Sequence, residues 1–403
     1  MSHTLSTSPA KKAPGPTSHA ILPASASHRW LNCTASARLE EAFGIKTETS
    51  YATEGTLAHS IGALFLERDV LHKTDDFNVK LESLMADKDF TEDMLGYVDQ
   101  YIDYCLSQIA EYEAKGITVY PYVEQKLDLK HFIPEGFGTT DFGLVADTHL
   151  EIVDFKYGMG VPVYAEYNSQ LMIYALGLLY QLSDIYDIQD ITVTIVQPRI
   201  NNISSFDISA KDLLDWATNT LIPKAKEAFA GGGEPVPGEW CKFCSIKTRC
   251  RKQYEEQLKI AKADFSSDPR LLSDEDIADI VKRSKSFITW INAVTEYAQS
   301  EAVNNNKQWP GLKLVAGRST RKWIDEDLAE STVRERCPEI PDNVLYTTKF
   351  NTLTAIEKAI GKTRFATLFA DIVVKPEGTP TLVPEDDPRE AIGISQAQRD
   401  FAE

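Results

Sequence analysis

Two aspartates and a lysine of this sequence stand in two adjacent apolar segments, GTTDFGLV and LEIVDFK. If the turn between the segments is centred between Asp147 and Thr148, Asp141 and Asp154 oppose one another in a β-hairpin. Directly opposed residues have Cβ atoms about 4.5–5.5 Å apart. Lys156 lies two residues beyond Asp154, so the pleat of the strand directs it to the same face. The spacing therefore predicts a compact cluster of two carboxylates and one ammonium group.

Such a cluster requires compensating positive charge. Two carboxylates inside an apolar hairpin repel one another and lose their hydration. A divalent cation that prefers oxygen ligands, Mg²⁺ or Mn²⁺, would compensate both. Lys156 alone could also do so, as the cation of a structural ion pair. The residues leave both interpretations open.

Cysteine spacing predicts a second metal site. Three of the six cysteines form a C-x2-C-x5-C pattern: Cys241, Cys244 and Cys250. In an intracellular protein such thiolates are typical of metal binding rather than of disulfides. We expect Cys33 to be the fourth ligand, because Cys105 lies on an apolar helix stripe and Cys337 in an acidic, loop-like segment. Structural zinc fits this spacing.

The elements before the hairpin would bring further polar residues to it. From Thr53 the pattern is typical of a capped helix that carries His59. Four apolar residues would form its inner face: Leu57, Ile61, Leu64 and Phe65. A second helix is predicted over residues 91–115, and a strand over residues 117–127 that carries Glu124.

The elements after the hairpin define the fold class. The pattern predicts a helix over residues 164–181, a strand over residues 191–199 and an amphipathic helix capped by Ser273. A strand, a helix and a strand in this order imply a right-handed crossover. We therefore expect an α/β fold with a mixed central sheet flanked by helices.

Bulk composition limits the classes of protein. The chain has 403 residues, 43% of them hydrophobic, and a formal net charge of -18. That charge argues against a protein whose whole surface coats nucleic acid, because phosphate contacts need local cations. A local basic path is present between Lys242 and Lys252, which includes Lys247, Arg249 and Arg251. With no signal-peptide pattern and no long apolar run, we expect a soluble, cytoplasmic protein without a membrane partner.

Composition also predicts the domain organisation. Residues 1–27 are rich in Ser, Thr, Pro and Ala and are expected to be disordered. Residues 28–254 would form the core that the cysteines close. Residues 255–390 would form an accessory α+β region, and residues 391–403 a polar tail.

The runs GTTDFGLV and EIVDFKYG, with His59 upstream and QLMIY downstream, resemble the motifs of RecB-like nucleases in the PD-(D/E)XK superfamily. The resemblance covers about residues 28–254, and the motifs occur in the order of that family. It implies a restriction-endonuclease-like core in which Asp141 and Asp154 are the metal carboxylates. It also implies that His59 is an additional metal ligand. Lys156 would orient or activate the attacking water and stabilise developing negative charge.

The same resemblance implies roles for further residues. Gln170 and Tyr174 match a Q-x-x-x-Y motif that positions DNA near the site, and Glu124 would contribute from the neighbouring strand. Cys33 together with the late C-x2-C-x5-C pattern resembles the iron-sulfur clasp of AddB-type and CRISPR-associated RecB-like nucleases. This implies a 4Fe-4S cluster on the four thiolates, with structural Zn²⁺ as the alternative.

The resemblance implies a metal-dependent deoxyribonuclease, and its clasp is typical of enzymes that degrade DNA from ends. The layout, including GLKLVAGRSTRKW downstream, is also similar to an uncharacterised phage-encoded family. It implies a role in phage recombination or DNA processing, beside a recombinase or a single-strand-binding protein. A structure-specific or restriction-type endonuclease would share the same centre. A non-catalytic DNA-binding assembly module would bind DNA without cutting it.

Overall fold

A computed structural model describes residues 20–44, 50–265, 273–313, 315 and 326–336, with isolated positions at 342, 361, 365, 368 and 373. The chain divides into two compact units, residues 1–269 and residues 270–403. The predicted boundary after residue 254 falls instead inside a helix, Arg251–Phe265. No helix among the described residues is long and apolar enough to cross a membrane.

The first unit contains one five-stranded mixed sheet. Its strands, in both chain and spatial order, are β1 (Val119–Asp128), β2 (Phe137–Ala146), β3 (His149–Phe155), β4 (Asp190–Gln197) and β5 (Asn202–Ser209). Only β3 and β4 pair in parallel, and the other neighbours are antiparallel. A parallel pair needs a crossover connection, which the intervening helix supplies.

Eleven helices surround or follow the sheet in the described ranges. They are α1 (Ser27–Asn32), α2 (Ser36–Phe43), α3 (Ser50–Asp69), α4 (Phe77–Met85), α5 (Glu92–Ala114), α6 (Ser169–Leu182), α7 (Ala210–Trp216), α8 (Ile222–Ala230), α9 (Arg251–Phe265), α10 (Asp274–Asn304) and α11 (Glu326–Arg336). The predicted cap of α10 is confirmed, because the Ser273 side chain accepts a hydrogen bond from the Asp276 amide in a capping box.

The sheet buries both of its faces. Alternate residues of β2 and β3 point to opposite sides, so Val145 and Ile152 join a core with α6, whereas Phe142 and Val153 join a core with α3 and α5. Cys105 of α5 is fully buried in the second core, as predicted. The expected α/β architecture, a mixed sheet flanked by helices, is confirmed at this level.

The predicted hairpin register is confirmed. Ala146 pairs with His149, and the ladder continues without a slip to Phe142 opposite Val153. Asp147 occupies the left-handed region at φ 55°, which a tight turn requires and which aspartate tolerates. Asp141 and Asp154 are the next residues of the two strands in this register.

Three expectations about the elements were wrong. The helix predicted from residue 164 begins at Ser169, because the Asn168 side chain accepts hydrogen bonds from the Gln170 and Leu171 amides. The edge strand β5 was not predicted. Residues 20–27, which were expected to be disordered, include the buried side chains of Leu22 and Ala24; residues 1–19 lie outside the described part of the chain.

Candidate active site

A ring of three side chains, joined by two hydrogen bonds and one ion pair, forms where β3 ends and α6 begins. Asp154 is almost fully buried, and its Oδ2 lies 2.9 Å from Nζ of Lys156. Nζ of Lys156 also donates to Oε1 of Gln170 at 3.0 Å. Nε2 of Gln170 donates to Oδ1 of Asp154 at 2.9 Å and closes the ring. The predicted acid and lysine therefore lie in direct contact, in an orientation that Gln170 fixes.

Asp141 lies at a break in the sheet. The β1–β2 ladder passes from Val123 opposite Phe142 to Gln125 opposite Thr140, and so omits Glu124 and Asp141. Glu124 has φ 48°, a left-handed conformation that is uncommon for glutamate and marks a local kink. The break frees the Asp141 carboxylate, whose Oδ2 accepts a hydrogen bond from the Phe155 amide at 2.8 Å.

His59 reaches the same carboxylate from the helix layer. Helix α3 places His59 Nδ1 3.4 Å from Oδ1 of Asp141. The imidazole ring also packs against the Phe155 ring, with centroids 5.3 Å apart. The structure thus brings together the four residues that the sequence proposed as a cleavage centre: His59, Asp141, Asp154 and Lys156.

The two aspartates have opposite pKa shifts. Burial raises the pKa of Asp154, and repulsion from Asp141 adds to that effect, although Lys156 opposes it. Burial would also raise the pKa of Asp141, but His59, the Phe155 amide and Lys156 outweigh it and lower the pKa. Two carboxylates that compete for the same cations titrate as one coupled pair. Of the two carboxyl groups, Asp154 is therefore the one that binds a proton more readily.

The cations of the site are stabilised by this charge. Burial alone would lower the pKa of His59, but Asp141 and Asp154 outweigh it and raise the pKa. Burial alone would also lower the pKa of Lys156, but the attraction of Asp154 outweighs it, so this pKa is raised as well. Lys156 is therefore an ammonium group near neutral pH. It can stabilise negative charge and orient a water, but it carries no free lone pair to accept a proton.

Glu124 adds a third acid at the open side of the cluster. Desolvation by surrounding atoms and repulsion from Asp141 raise the pKa of Glu124 to about 7. Its side chain is nevertheless solvent-exposed, and solvent moderates such shifts. An acidic group that is both accessible and close to Asp141 extends the set of oxygen donors.

These donors fit a divalent cation. Carboxylate oxygens and one imidazole nitrogen are ligands that Mg²⁺ and Mn²⁺ accept. Oδ2 of Asp154 is buried and accepts no hydrogen bond of regular geometry, although Lys156 lies next to it. Across the described ranges no three acidic, histidine or cysteine side chains already stand as a complete ligand set. Asp154 is held instead by Lys156 and Gln170.

Gln170 and Tyr174 have a positioning role in the structure. Nε2 of Gln170 also contacts the Tyr174 hydroxyl at 3.3 Å, one helical turn further along α6. Tyr174 is only 8% exposed. Their predicted contact with DNA stays a prediction, whereas their hydrogen bonds orient Asp154 and Lys156.

Sequence reasoning missed an arginine beside the site. Arg199 follows β4, and its Nη1 lies 3.1 Å from Oε1 of Glu54 on α3. Its guanidinium carbon stands 4.6 Å above the Tyr157 ring. The sequence position of Arg199 could have indicated it. Tyr157 and Arg199 follow β3 and β4, and these two strands pair in parallel, so their ends lie side by side.

The four predicted cluster cysteines line one small cavity of about 20 Å³. Cys33 directly follows α1, whereas Cys241, Cys244 and Cys250 lie before α9. All four are free thiols, and Cys33 and Cys244 are buried. The position of Cys337 lies outside the described residues.

Burial disfavours the thiolate forms at this cavity. It raises the pKa of Cys244 to about 12, and neighbouring acidic groups add to the effect. It also raises the pKa of Cys241, where the thiols of Cys33 and Cys250 contribute. A metal cation bound by these sulfur atoms would offset this effect, because it stabilises the deprotonated form.

The predicted basic path lies beside this cavity. Lys247 donates from Nζ to the Lys242 carbonyl at 2.7 Å, and Arg249 donates to the Phe43 carbonyl. Arg251 is exposed and pairs with Glu255 at 2.9 Å. Their contact with DNA stays a prediction.

Comparisons with known proteins place the chain in a family without an assigned activity. The model of a family described as a protein of unknown function (DUF2800) matches residues 19–390. The crystal structure of SSO0001 is similar over 55% of this chain and 95% of the SSO0001 chain, with 15% sequence identity and a TM-score of 0.24. A likeness at that TM-score carries no argument about fold or activity.

Proposed function

The chain belongs to the DUF2800 family, and we propose that it is a metal-dependent nuclease that hydrolyses DNA from its ends. Two neighbouring contacts carry the proposal. Asp154 pairs with Lys156, and Asp141 next to them pairs with His59. This arrangement supports a RecB-like centre of the PD-(D/E)XK superfamily. An ordinary ion pair explains Lys156 with Asp154, but it does not explain a second, partly buried acid and a histidine at the same point.

The residues have complementary roles in phosphodiester hydrolysis. Asp141, Asp154 and His59 would hold Mg²⁺ or Mn²⁺. When bound, the ion supplies a Lewis acid for the phosphate and lowers the pKa of water. The Lys156 ammonium stabilises the negative charge that develops on the phosphate oxygens. Gln170 would hold Asp154 and Lys156 in position, and Glu124 would accept the proton of the attacking water.

A single incubation tests the activity. End-labelled linear DNA and covalently closed circular DNA are incubated with Mg²⁺, with Mn²⁺ or with chelator. We expect progressive loss of the linear substrate with either ion, an intact circle, and no cleavage with chelator. Cleavage of the circle would favour a structure-specific or restriction-type endonuclease. DNA binding without any cleavage would favour a non-catalytic assembly module.

We further propose that the four cysteines hold a 4Fe-4S cluster, with structural Zn²⁺ as the alternative. The support is their shared cavity, which joins Cys33 to a segment more than two hundred positions later in the chain. Anaerobic purification followed by visible absorbance and metal analysis distinguishes the two. A colourless, zinc-replete and fully active protein would end the cluster proposal.

The biological setting is part of the same proposal. DNA ends are the expected substrate, and a phage recombinase or single-strand-binding protein is the expected partner in the cytoplasm of a bacterial host. Co-purification with such a protein during infection tests this setting. If the protein degrades DNA ends and co-purifies with no such protein, the proposed activity is retained and the proposed partner is rejected.

A further inference from the structure

The loop between β3 and α6, residues 157–168, exposes an unusual amount of apolar surface next to the candidate active site. Four large side chains of this loop are solvent-exposed: Met159 (56%), Val161 (40%), Tyr164 (51%) and Tyr167 (70%). The loop begins one residue after Lys156 and ends two residues before Gln170. Both ends of the loop are therefore close in sequence to residues of the ring that holds Asp154.

The loop is fixed to the sheet rather than loosely exposed. Gln197, only 2% exposed, donates from Nε2 to the carbonyls of Gly158 at 2.6 Å and Val161 at 3.0 Å. Its Oε1 accepts the Val163 amide at 3.1 Å. Nδ2 of Asn202 donates to the Val163 carbonyl at 2.8 Å. The buried Gln197 side chain therefore orders the loop through three hydrogen bonds to its backbone.

A second set of contacts fixes the end of the loop. The Ala165 amide donates to Oγ of Ser204 at 3.0 Å. The Tyr167 ring packs on Phe206 of β5, with centroids 4.7 Å apart, and still leaves most of its surface exposed. Exposed apolar surface of this kind suits binding to a partner, and a preorganised surface loses less entropy on binding.

We propose that this loop is a nucleobase-stacking platform that binds the unpaired bases of a DNA single strand beside the cleavage centre. The inference rests on the proposed function, because that function places a DNA backbone at Lys156. Aromatic rings and apolar side chains bind bases of any sequence, since every base has a π-face. Glu166 is the one charged residue of the loop, so a phosphate backbone meets little repulsion there. Paired bases hide these faces inside the duplex.

Binding in chelator tests the platform without cleavage. Fluorescence anisotropy compares labelled oligothymidylate with an abasic oligomer of equal length. We expect the full-length protein to bind oligothymidylate at least about tenfold more tightly. Tyr164→Ala and Tyr167→Ala should each lower that affinity about tenfold and leave abasic binding unchanged. Tyr164→Phe and Tyr167→Phe, which keep the ring, should retain the affinity for oligothymidylate.

The control is Tyr120→Ala, which removes a similarly exposed tyrosine (47%) at the opposite end of the sheet. It should change neither affinity. Equal binding of both oligomers by the unaltered protein would overturn the platform, and so would alanine variants that weaken both oligomers alike. In either case the surface suits a protein partner better.

Cleavage separates this inference from the proposed function. With Mn²⁺ present, single-stranded ends should be degraded at least about tenfold faster than blunt duplex ends, and the double variant Tyr164→Ala, Tyr167→Ala should lose that preference. Cleavage without any contribution from the bases would leave the nuclease standing and reject the platform. Base-dependent binding with no cleavage in any metal would reject the nuclease and retain the platform.

Discussion

Lys156 has two possible roles at the residue scale, and substitution distinguishes them. Lys156→Ala should lower the single-turnover cleavage rate by about 100-fold or more, because a cation at the reacting phosphate is lost. A purely structural ion pair predicts a different result, in which activity falls only with the folded fraction. Circular dichroism and cleavage measured on the same samples separate the two. Lys211→Ala, which removes a surface lysine paired with Asp215, should change neither quantity.

Glu151 should make stability depend on pH independently of the candidate site. Burial raises the pKa of Glu151 to about 7, with the Tyr104 hydroxyl opposing and Glu111 and Asp207 adding to the rise. A carboxyl whose folded pKa lies above its unfolded pKa stabilises the fold fully below the unfolded value of about 4.5. That contribution, on the order of 3 kcal/mol, is lost as the pH rises to about 7.

Glu151→Gln tests this linkage. The free energy of unfolding, measured by urea denaturation between pH 4.5 and 7.5, should fall less with rising pH in the variant than in the unaltered protein. Glu113→Gln, at an exposed position of α5, should reproduce the unaltered profile. Parallel profiles for all three proteins would show that Glu151 does not bind its proton differently on folding.

At the scale of elements, the hairpin could be predicted and its surroundings could not. The position of a two-residue turn fixes the register between β2 and β3, so the approach of Asp141 to Asp154 follows from local sequence. The kink at Glu124 depends on tertiary contacts, and no local signal announces it. Edge strand β5 was not predicted because its three large apolar residues do not share one face: Ile203 is out of phase with Phe206 and Ile208, and only β4 pairs with this strand.

The start of α6 is set by one side chain that also supports the site. Asn168 is the N-cap residue of α6, and Gln170 lies in the first turn of the helix. Asn168→Ala should lower the free energy of unfolding by about 1 kcal/mol and slow cleavage, because Gln170 loses its fixed position. Asn168→Asp, whose carboxylate can also cap, should restore both. Unchanged cleavage in a destabilised Asn168→Ala protein would reject the positioning role of Gln170.

At the scale of the whole molecule, the cysteine cavity joins the beginning of the first unit to its end. Helix α1 and the turn that carries Cys241 are brought together there, although more than two hundred residues separate them in the chain. Spacing alone predicted three of these ligands. Cys33 was predicted by elimination and by the resemblance. Spacing could not predict it, because only the folded chain brings such distant segments into contact.

Removal of one thiol should therefore loosen the whole first unit rather than the chemistry alone. Cys33→Ser should lose the visible absorbance of the proposed cluster and unfold at a lower temperature, because metal binding to a folded site contributes to folding free energy. Cys105→Ser alters a buried cysteine outside the cavity, so it separates ordinary core damage from metal loss. It should retain full absorbance even where its melting temperature falls. Full absorbance in Cys33→Ser, equal to that of the unaltered protein, would mean that Cys33 is not a cluster ligand, and the link between the two ends would then be packing alone.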